Sequence, residues 1–569
     1  MSSNDSDLSD PHYGYDFVVA TTQGSINATL KEFLAAIAEP VTTACYVADD
    51  KGHPVSIDYA KLKQQSGVDP FAIPANVDAA NDTDIKKLIS ARFMFGFQAQ
   101  LGLPPMSSPQ KIPDIVDLGG DTATVGFNLL CAEFAIVNLT PPGGYNTDAT
   151  WDRFDQQKDA PWIFSTKVDL RLSTVDQSAY SKLPPDVQQQ IKNLGDNAFS
   201  VQQLLYDLDN AALETVPTIE GVKPGTLLYT MLEQDFVGAY FTQMQKEHKP
   251  LMGVMIAQQD APPATLTLTD FNFQVSPFLG SDGQEIANPT KEQRDLATLN
   301  YLCAADKDAL PPPVKFGWNW VDTLSESDGV IAINRNTFGN YFYHQLKDYV
   351  PGNCMLPSVS VWESGFLGDT TNYKWSLTPG QSPTVTQGKD TSGATVLTFH
   401  YAPPSQHDEA HWLGEAVGGM TLSTSFDLSV TFQGNTITIS QHLVVYAEVW
   451  HTPSSGDKGN VVDKTINETY TLDVDQNGRL VTSDPAIQNI DNSYKLHTSG
   501  FLAWIANIQD LENDIQNWLK CIAPCNLKAL PVSIVDNFVF PGGKTFTYKN
   551  VNFSDHQDLV SHITYTQPG

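Results

Sequence analysis

The sequence predicts an α+β fold in which highly curved antiparallel sheets wrap around long amphipathic helices, as two tandem modules of an elongated molecule. Three observations carry that expectation. A strand-plus-helix unit occurs twice, the stretches between are dominated by strand-length runs of β-branched and aromatic residues, and a long amphipathic helix lies near the C-terminus. The chain has 569 residues, more than one core of roughly 250 to 300 residues can serve.

Residues 1–12 read as a flexible acidic and Ser-rich tail. Tyr15-Asp16-Phe17-Val18-Val19-Ala20 has strand character, and a helix follows with Ser25 as its cap candidate. Ile26, Leu30, Phe33, Leu34 and Ile37 recur at offsets of three and four, and Pro40 stops the helix. The device returns at Gly329-Val330-Ile331-Ala332-Ile333, with Thr337 as cap candidate, then Phe338, Tyr341, Phe342, Leu346 and Tyr349 as the apolar face before Pro351. At a constant offset of 312, Asp16/Asp328, Val18/Val330, Ala20/Ala332 and Leu34/Leu346 coincide, so an internal duplication is expected. The alternative is a common strand-to-helix unit met twice.

Strands are expected at 122–137, 162–172, 226–232, 251–258 and 265–275, and helices at 84–100 and 185–206. Pro, Gly and Asp cluster at 277–289, and Pro311-Pro312-Pro313 follows a short helical stretch. These breakers set a first module at 13–285, a connector at 286–327 and a second module at 328–569. The second module carries strands at 358–364, 396–400, 421–432, 436–449 and 470–481, then a helix over 501–522, roughly 30 Å long. Leu502, Ile505, Ile508, Leu511, Ile515, Trp518, Leu519 and Ile522 share one helical register there.

Charge narrows the function. Lys plus Arg number 33 against 65 Asp plus Glu, a formal net charge of -32. A nucleic-acid binder needs a basic stripe to release counterions, and the densest basic spots are pairs such as Lys86 and Lys87, so nucleic acid is excluded as partner and anionic membranes are disfavoured. No run approaches the roughly 20 apolar residues of a membrane span. The polar start carries no signal-peptide pattern, which predicts a cytoplasmic protein as synthesised, with non-classical export left open. Six cysteines are too few for a disulfide scaffold.

Compact catalytic signatures are missing: no Gly-x-Ser-x-Gly, no Walker loop, no Gly-x-Gly-x-x-Gly after a strand. His407-Asp-Glu-Ala-His411 has helical zinc-site spacing but not the zincin order, and Pro403-Pro404 and Gly414 disfavour a helix; a solvated loop is the main reading and a metal site the minor one. Asp473-Val-Asp475-Gln-Asn477-Gly478 matches half of an EF-hand loop, but alternating flanks favour a β-hairpin turning at Gln476-Asn477-Gly478. Cys521 and Cys525 fall at a helix end, where the dipole raises a thiol pKa, so structural thiols are expected rather than a redox pair. Phe93, Phe95 and Phe97, Trp504 and Trp518, and the Phe338–Phe342 face are core residues or the lining of an elongated apolar tunnel.

Tyr13-Gly14-Tyr15-Asp16-Phe17-Val18-Val19 with Asn27 and Leu30, Thr298-Leu299-Asn300-Tyr301-Leu302, Phe316-Gly317-Trp318-Asn319-Trp320-Val321, Gly329 to Ile333, and Phe540-Pro541-Gly542-Gly543 to Phe546 with Phe553 together resemble the tubular lipid-binding (TULIP) proteins. The nearest look is that of the type encoded in clostridial botulinum neurotoxin clusters. The resemblance spans nearly the whole chain, in order, and implies sheets wrapped around long helices with a hydrophobic cavity that in many members holds a lipid. Greater length is the departure, since residues 179–206 would cap or fill the tunnel.

The leading expectation is a non-enzymatic protein that binds or carries a lipid or other long apolar ligand, needing no cofactor and no metal. Its groove candidates are Leu30, Phe33, Leu34, Phe342, Leu346, Ile508, Leu511, Ile515 and Trp518. The alternatives are a structural or interaction protein of a toxin or secretion gene cluster with a collapsed cavity, bound to a protein partner from that cluster, and a cofactor-free enzyme using an apolar pocket.

Overall fold

A computed structural model describes residues 2–36, 41–119, 123–143, 147–175, 177–182, 188, 199–206, 212–215, 219, 222–236, 238–240, 251–258, 266–306, 308–323, 327–365, 370–452, 456–497, 508–525, 538–539 and 545–566. It is a mostly antiparallel sheet protein with few helices. The helices are shorter than the sequence suggests: the first is Gln23–Ala36, the second Arg335–Leu346, and the described part of the last is Ile508–Trp518. Positions 501–507 of the expected last helix lie outside the described residues.

The two ends of the chain and its middle meet in one central sheet. Its strand order is Leu268–Ser276, Thr298–Ala305, Phe17–Thr22, Gly329–Ile333, Leu559–Thr566 and Thr545–Tyr548, every pair antiparallel. Phe17–Thr22 and Thr298–Ala305 are buried along their whole length, which is why they read as continuous apolar runs instead of alternating ones. One face, with Phe17, Val19, Ile331 and Ile333, joins the main core; the other, with Val18, Ala20, Val330 and Ala332, is covered by Leu8, Phe316, Trp318 and Trp320. Gly329 has no alternative there, because a Cβ would lie 2.1 Å from the Ala20 carbonyl oxygen.

The two expected strand-to-helix units meet with a local two-fold arrangement between Phe17–Thr22 and Gly329–Ile333, where Val18 faces Ala332 and Ala20 faces Val330. The Asp16 N–H donates to the Cys303 carbonyl at 3.0 Å, and the Asp328 N–H to that of Ile563 at 2.9 Å. Asp16 Oδ2 accepts from the Ala305 N–H at 2.8 Å; Asp328 Oδ2 accepts from the Tyr565 N–H at 2.9 Å. The remaining oxygens cross over: Thr337 donates to Asp16 Oδ1 at 2.5 Å, and Ser25 to Asp328 Oδ1 at 2.9 Å. Ser25 and Thr337 are themselves related by the offset of 312. They are not caps, since the helices start at Gln23 and Arg335 and Asn334 caps the second by accepting from the Asn336 N–H. Each instead ties its own helix to the other half's aspartate.

Other expectations need correction. The first residues are not a free tail: Leu8 and Ser6 are fully buried, because Asp558 Oδ2 accepts from the Ser6 hydroxyl at 2.7 Å and the Leu8 N–H at 2.6 Å. The expected connector contains Thr298–Ala305, a strand at the heart of the central sheet, so Pro and Gly punctuation there marks turns around a strand. Residues 84–100 split into helix Thr83–Ser90 and strand Phe93–Leu101, the break falling at Arg92, whose φ of +57° no helix accommodates. Positions 227–231 are a helix capped by Thr226 rather than a strand. Phe199–Tyr206 is a strand rather than a helix, paired with Leu251–Gln258 and Phe164–Thr174; most of 185–198 lies outside the described residues.

Beyond the central sheet, the first half builds two sheets. One contains Leu251–Gln258, Phe199–Tyr206, Phe164–Thr174 and Thr124–Leu129, with Phe538–Val539 joining from the C-terminal region; the other runs from Pro54–Ile57 through Val41–Ala48, Phe93–Leu101 and Cys131–Thr140 to Thr150–Asp155. The second half is dominated by Glu415–Gln433, Thr436–His451 and Asp457–Val474, of 19, 16 and 18 residues.

Candidate functional site

The three long strands of the second half present alternating faces over most of their length, as an amphipathic strand must when one side is dry. Inward positions include Leu422, Phe426, Leu428, Val430, Ile437, Ile439, Leu443, Val445, Val462 and Ile466, each 2% exposed or less. Aromatic rings gather at one end, where Phe432 stacks on Phe553 at 4.6 Å and meets Phe338 and Phe342 at 5.2 and 5.7 Å. Beyond them the wall is mainly aliphatic.

Two polar side chains interrupt it. Gln441 and Glu468 stand at inward positions on neighbouring strands, and both are completely buried. Glu468 Oε1 accepts from Gln441 Nε2 at 3.2 Å and from the Cys525 N–H at 2.7 Å; Oε2 accepts from the Tyr470 hydroxyl at 2.9 Å. Gln441 Nε2 also reaches the Ala523 carbonyl at 3.1 Å, and the Tyr349 hydroxyl donates to Gln441 Oε1 at 2.7 Å. Burial pushes Tyr349 up to about 12, so it serves as a neutral donor. The cluster draws the chain after the last helix onto the sheet, and Lys464 Nζ adds a 3.0 Å bond to the Leu519 carbonyl. A buried carboxylate is tolerable only when its oxygens are this fully engaged.

The groove candidates fall in two places of one continuous apolar core. Leu30 and Leu34 are buried and Phe33 half-buried on the first helix, which is anchored in the first half by Asn27 accepting from the Ile115 and Val116 N–H groups. Phe342 and Leu346 on the second helix, and Leu511, Ile515 and Trp518 on the last, are buried in the second half; Trp375 Nε1 donates to Asp514 at 2.9 Å on that last helix. The side chain of Ile508 lies outside the described residues. Gln441 and Glu468 escaped sequence reasoning, although polar residues in the apolar phase of Ile437-x-Ile439-x-Gln441-x-Leu443 and Ile466-x-Glu468-x-Tyr470 mark them.

The first half's interior is filled by its own chain. Phe236 lies 4.6 to 5.7 Å from Phe97, Phe134 and Phe164, and the Tyr240 hydroxyl donates to the Leu130 carbonyl at 3.0 Å. Leu232, Phe236 and Tyr240 fill it there; most of 183–198, within the expected filling segment 179–206, lies outside the described residues. Phe95 stacks on Tyr46 at 4.8 Å, while Phe93 belongs to a separate core with Trp151.

The sequence motifs resolve simply. His407 and His411 lie on strand Gln406–Trp412, neither helix nor loop, with His407 Nε2 3.2 Å from Glu409 and His411 Nε2 3.9 Å from it. Asp475 Oδ1 accepts from the Asn477 and Arg479 N–H groups, which makes the Asp/Asn run a hairpin turn. Cys521 is exposed and Cys525 half-buried; burial raises both thiols, and Glu468 raises Cys525 further, so neither is activated as a thiolate. The carboxylates most displaced upward by burial are Asp16, at about 6, and Asp558, at about 7. Both are engaged in holding distant segments together: Asp16 accepts from Thr337, and Asp558 accepts from Ser6, Leu8 and, through Oδ1, the Arg335 N–H at 3.0 Å.

No family model and no curated protein matches this chain. Among solved structures it is similar to P47 from Clostridium botulinum A2, with a TM-score of 0.43 and 12% identity over 97% of each chain. It is also similar to P47 of Clostridium botulinum E1, with a TM-score of 0.41 and 9% identity over 97% of this chain and 99% of that one. A lipopolysaccharide binding protein gives a TM-score of 0.28 and 10% identity over 98% and 99%. These are likenesses of fold and say nothing of what this chain binds.

Proposed function

We propose that this protein is a non-enzymatic carrier that holds a lipid or another long apolar molecule against the inner wall of its second half, in the manner of the tubular lipid-binding proteins its sequence resembles. The observation that supports this is the wall itself. Strands of 16 to 19 residues extend for roughly 50 to 60 Å, whereas one leaflet's acyl layer is about 15 Å, half of the ~30 Å hydrocarbon core. A long, mainly aliphatic surface with one small polar cluster suits a ligand with a long tail and a single polar group. Catalysis is the weaker reading because Glu468, Asp16 and Asp558 have their oxygens committed to holding the chain together.

Native mass spectrometry of the purified protein, followed by solvent extraction, should reveal a copurified apolar molecule, and fluorescent fatty acid or phospholipid should be taken up from solution. Absence of both overturns the proposal. The ring-filled first half favours a second role, as a solid support for a protein partner, which pull-down would reveal as a stable complex.

A further inference from the structure

Strand Gln406–Trp412 returns into Glu415–Gln433 through two residues only, since Trp412 is paired with Glu415. Both turn residues, Leu413 and Gly414, have positive φ, +51° and +90°. Such a turn ordinarily takes Asn, Asp or Gly at its first position, because other side chains are strained there. Leu413 accepts that strain and is also 91% exposed. Two local penalties coincide on one side chain. Beside it Trp412 is 38% exposed, and Trp362 is 44% exposed on strand Leu356–Ser364, which runs against this hairpin and is bonded to it where the Val361 N–H donates to Asp408 at 2.7 Å.

The position is terminal. Glu415–Gln433 starts at this turn and ends beside Phe432, whose ring stacks on Phe553, a residue paired into the central sheet. Leu413 therefore lies at the end of the second half remote from that sheet. The hairpin itself is acidic, with Asp408, Glu409 and Glu415 and no Lys or Arg, while Lys374 lies opposite Ser360 on the strand paired with that of Trp362.

We propose that the Trp412-Leu413 turn is a membrane-docking tip that enters the headgroup boundary of a zwitterionic bilayer. A two-residue protrusion cannot supply the roughly 800 Å² per partner of a stable protein interface. A bilayer interface does accept an isolated leucine with tryptophans beside it, because the indole ring is at home at headgroup level. The acidic hairpin disfavours anionic lipid as the partner. Docking of this kind is peripheral: among the described residues no helix is long and apolar enough to cross a membrane. The tip stands independently of any cargo.

The test is cosedimentation of the full chain with phosphatidylcholine vesicles, and with vesicles containing phosphatidylserine, at low and high salt. Binding is expected to phosphatidylcholine, weaker with phosphatidylserine at low salt. Leu413→Asn relieves the turn and should leave the thermal midpoint unchanged or higher while weakening vesicle binding roughly tenfold; Trp412→Ser should weaken it similarly. Wild type that ignores phosphatidylcholine, or L413N that binds as wild type does, overturns the tip, as does salt-sensitive preference for phosphatidylserine. Uptake of monomeric fluorescent fatty acid should be unaffected in L413N; wild type that binds phosphatidylcholine vesicles but takes up no fatty acid sinks the carrier reading alone.

Discussion

The two halves meet through the same bonds and differ in what fills them. At the junction, Asp16 with Thr337 mirrors Asp328 with Ser25, so each half completes the other's helix start. Away from it, the first half places Phe236 among three phenylalanines, whereas the second extends a mainly aliphatic wall broken by Gln441 and Glu468. The brace depends on a few hydrogen bonds at fixed positions, which need little sequence identity between the halves. The interior depends on packing volume, which each half has settled differently.

The largest expected effect breaks the contrast directly. Phe236→Ala removes the ring at the centre of the first half and should cost about 3 to 5 kcal/mol in urea unfolding, with new uptake of a small aromatic probe there. A loss below about 1 kcal/mol would mean that the interior is not ring-filled.

Next comes the junction. Burial raises Asp558 to about 7 and Asp16 to about 6. A carboxyl that holds its proton more tightly when folded makes the native state bind more protons than the unfolded one between about pH 4 and pH 7. Stability therefore falls as pH rises through that window and levels off above it, by an amount on the order of 4 kcal/mol from Asp558 and on the order of 3 kcal/mol from Asp16. Asp558→Asn should flatten the slope of urea midpoint against pH; an unchanged slope contradicts the assignment.

The smallest effect sharpens the comparison from the other side. Gln441→Leu continues the aliphatic wall but takes a donor from Glu468, and should cost about 1 to 3 kcal/mol in urea unfolding. Adding Glu468→Leu should not recover that loss, since it takes the acceptor from the Cys525 N–H as well; a double variant as stable as the wild type would contradict the cluster's structural role.

Much of this was legible in the sequence. Alternation over Glu415–Gln433 and Thr436–His451 is a local property of strands with one dry face, and the repeated Asp, Val and Ala of Asp16–Ala20 and Asp328–Ala332 marked the two strands that pair with each other. Of the candidate groove residues, the described ones named as buried are so because helical spacing determines which side of a helix is apolar. The functions of Ser25 and Thr337 were misread because a hydroxyl near a helix start looks like a cap unless the opposing aspartate is known.

What the sequence determined by itself is the class of the protein: antiparallel sheet with amphipathic helices, in a strongly acidic chain. These follow from periodicity and charge, which act over neighbouring residues or over the whole chain. Only the tertiary structure decided which strands share the central sheet, that Ser6 and Leu8 are held by Asp558, that Phe236 fills one half, and that Leu413 stands alone at the end of the other. Each of these depends on residues distant along the chain coming into contact, or failing to, and no local pattern encodes that.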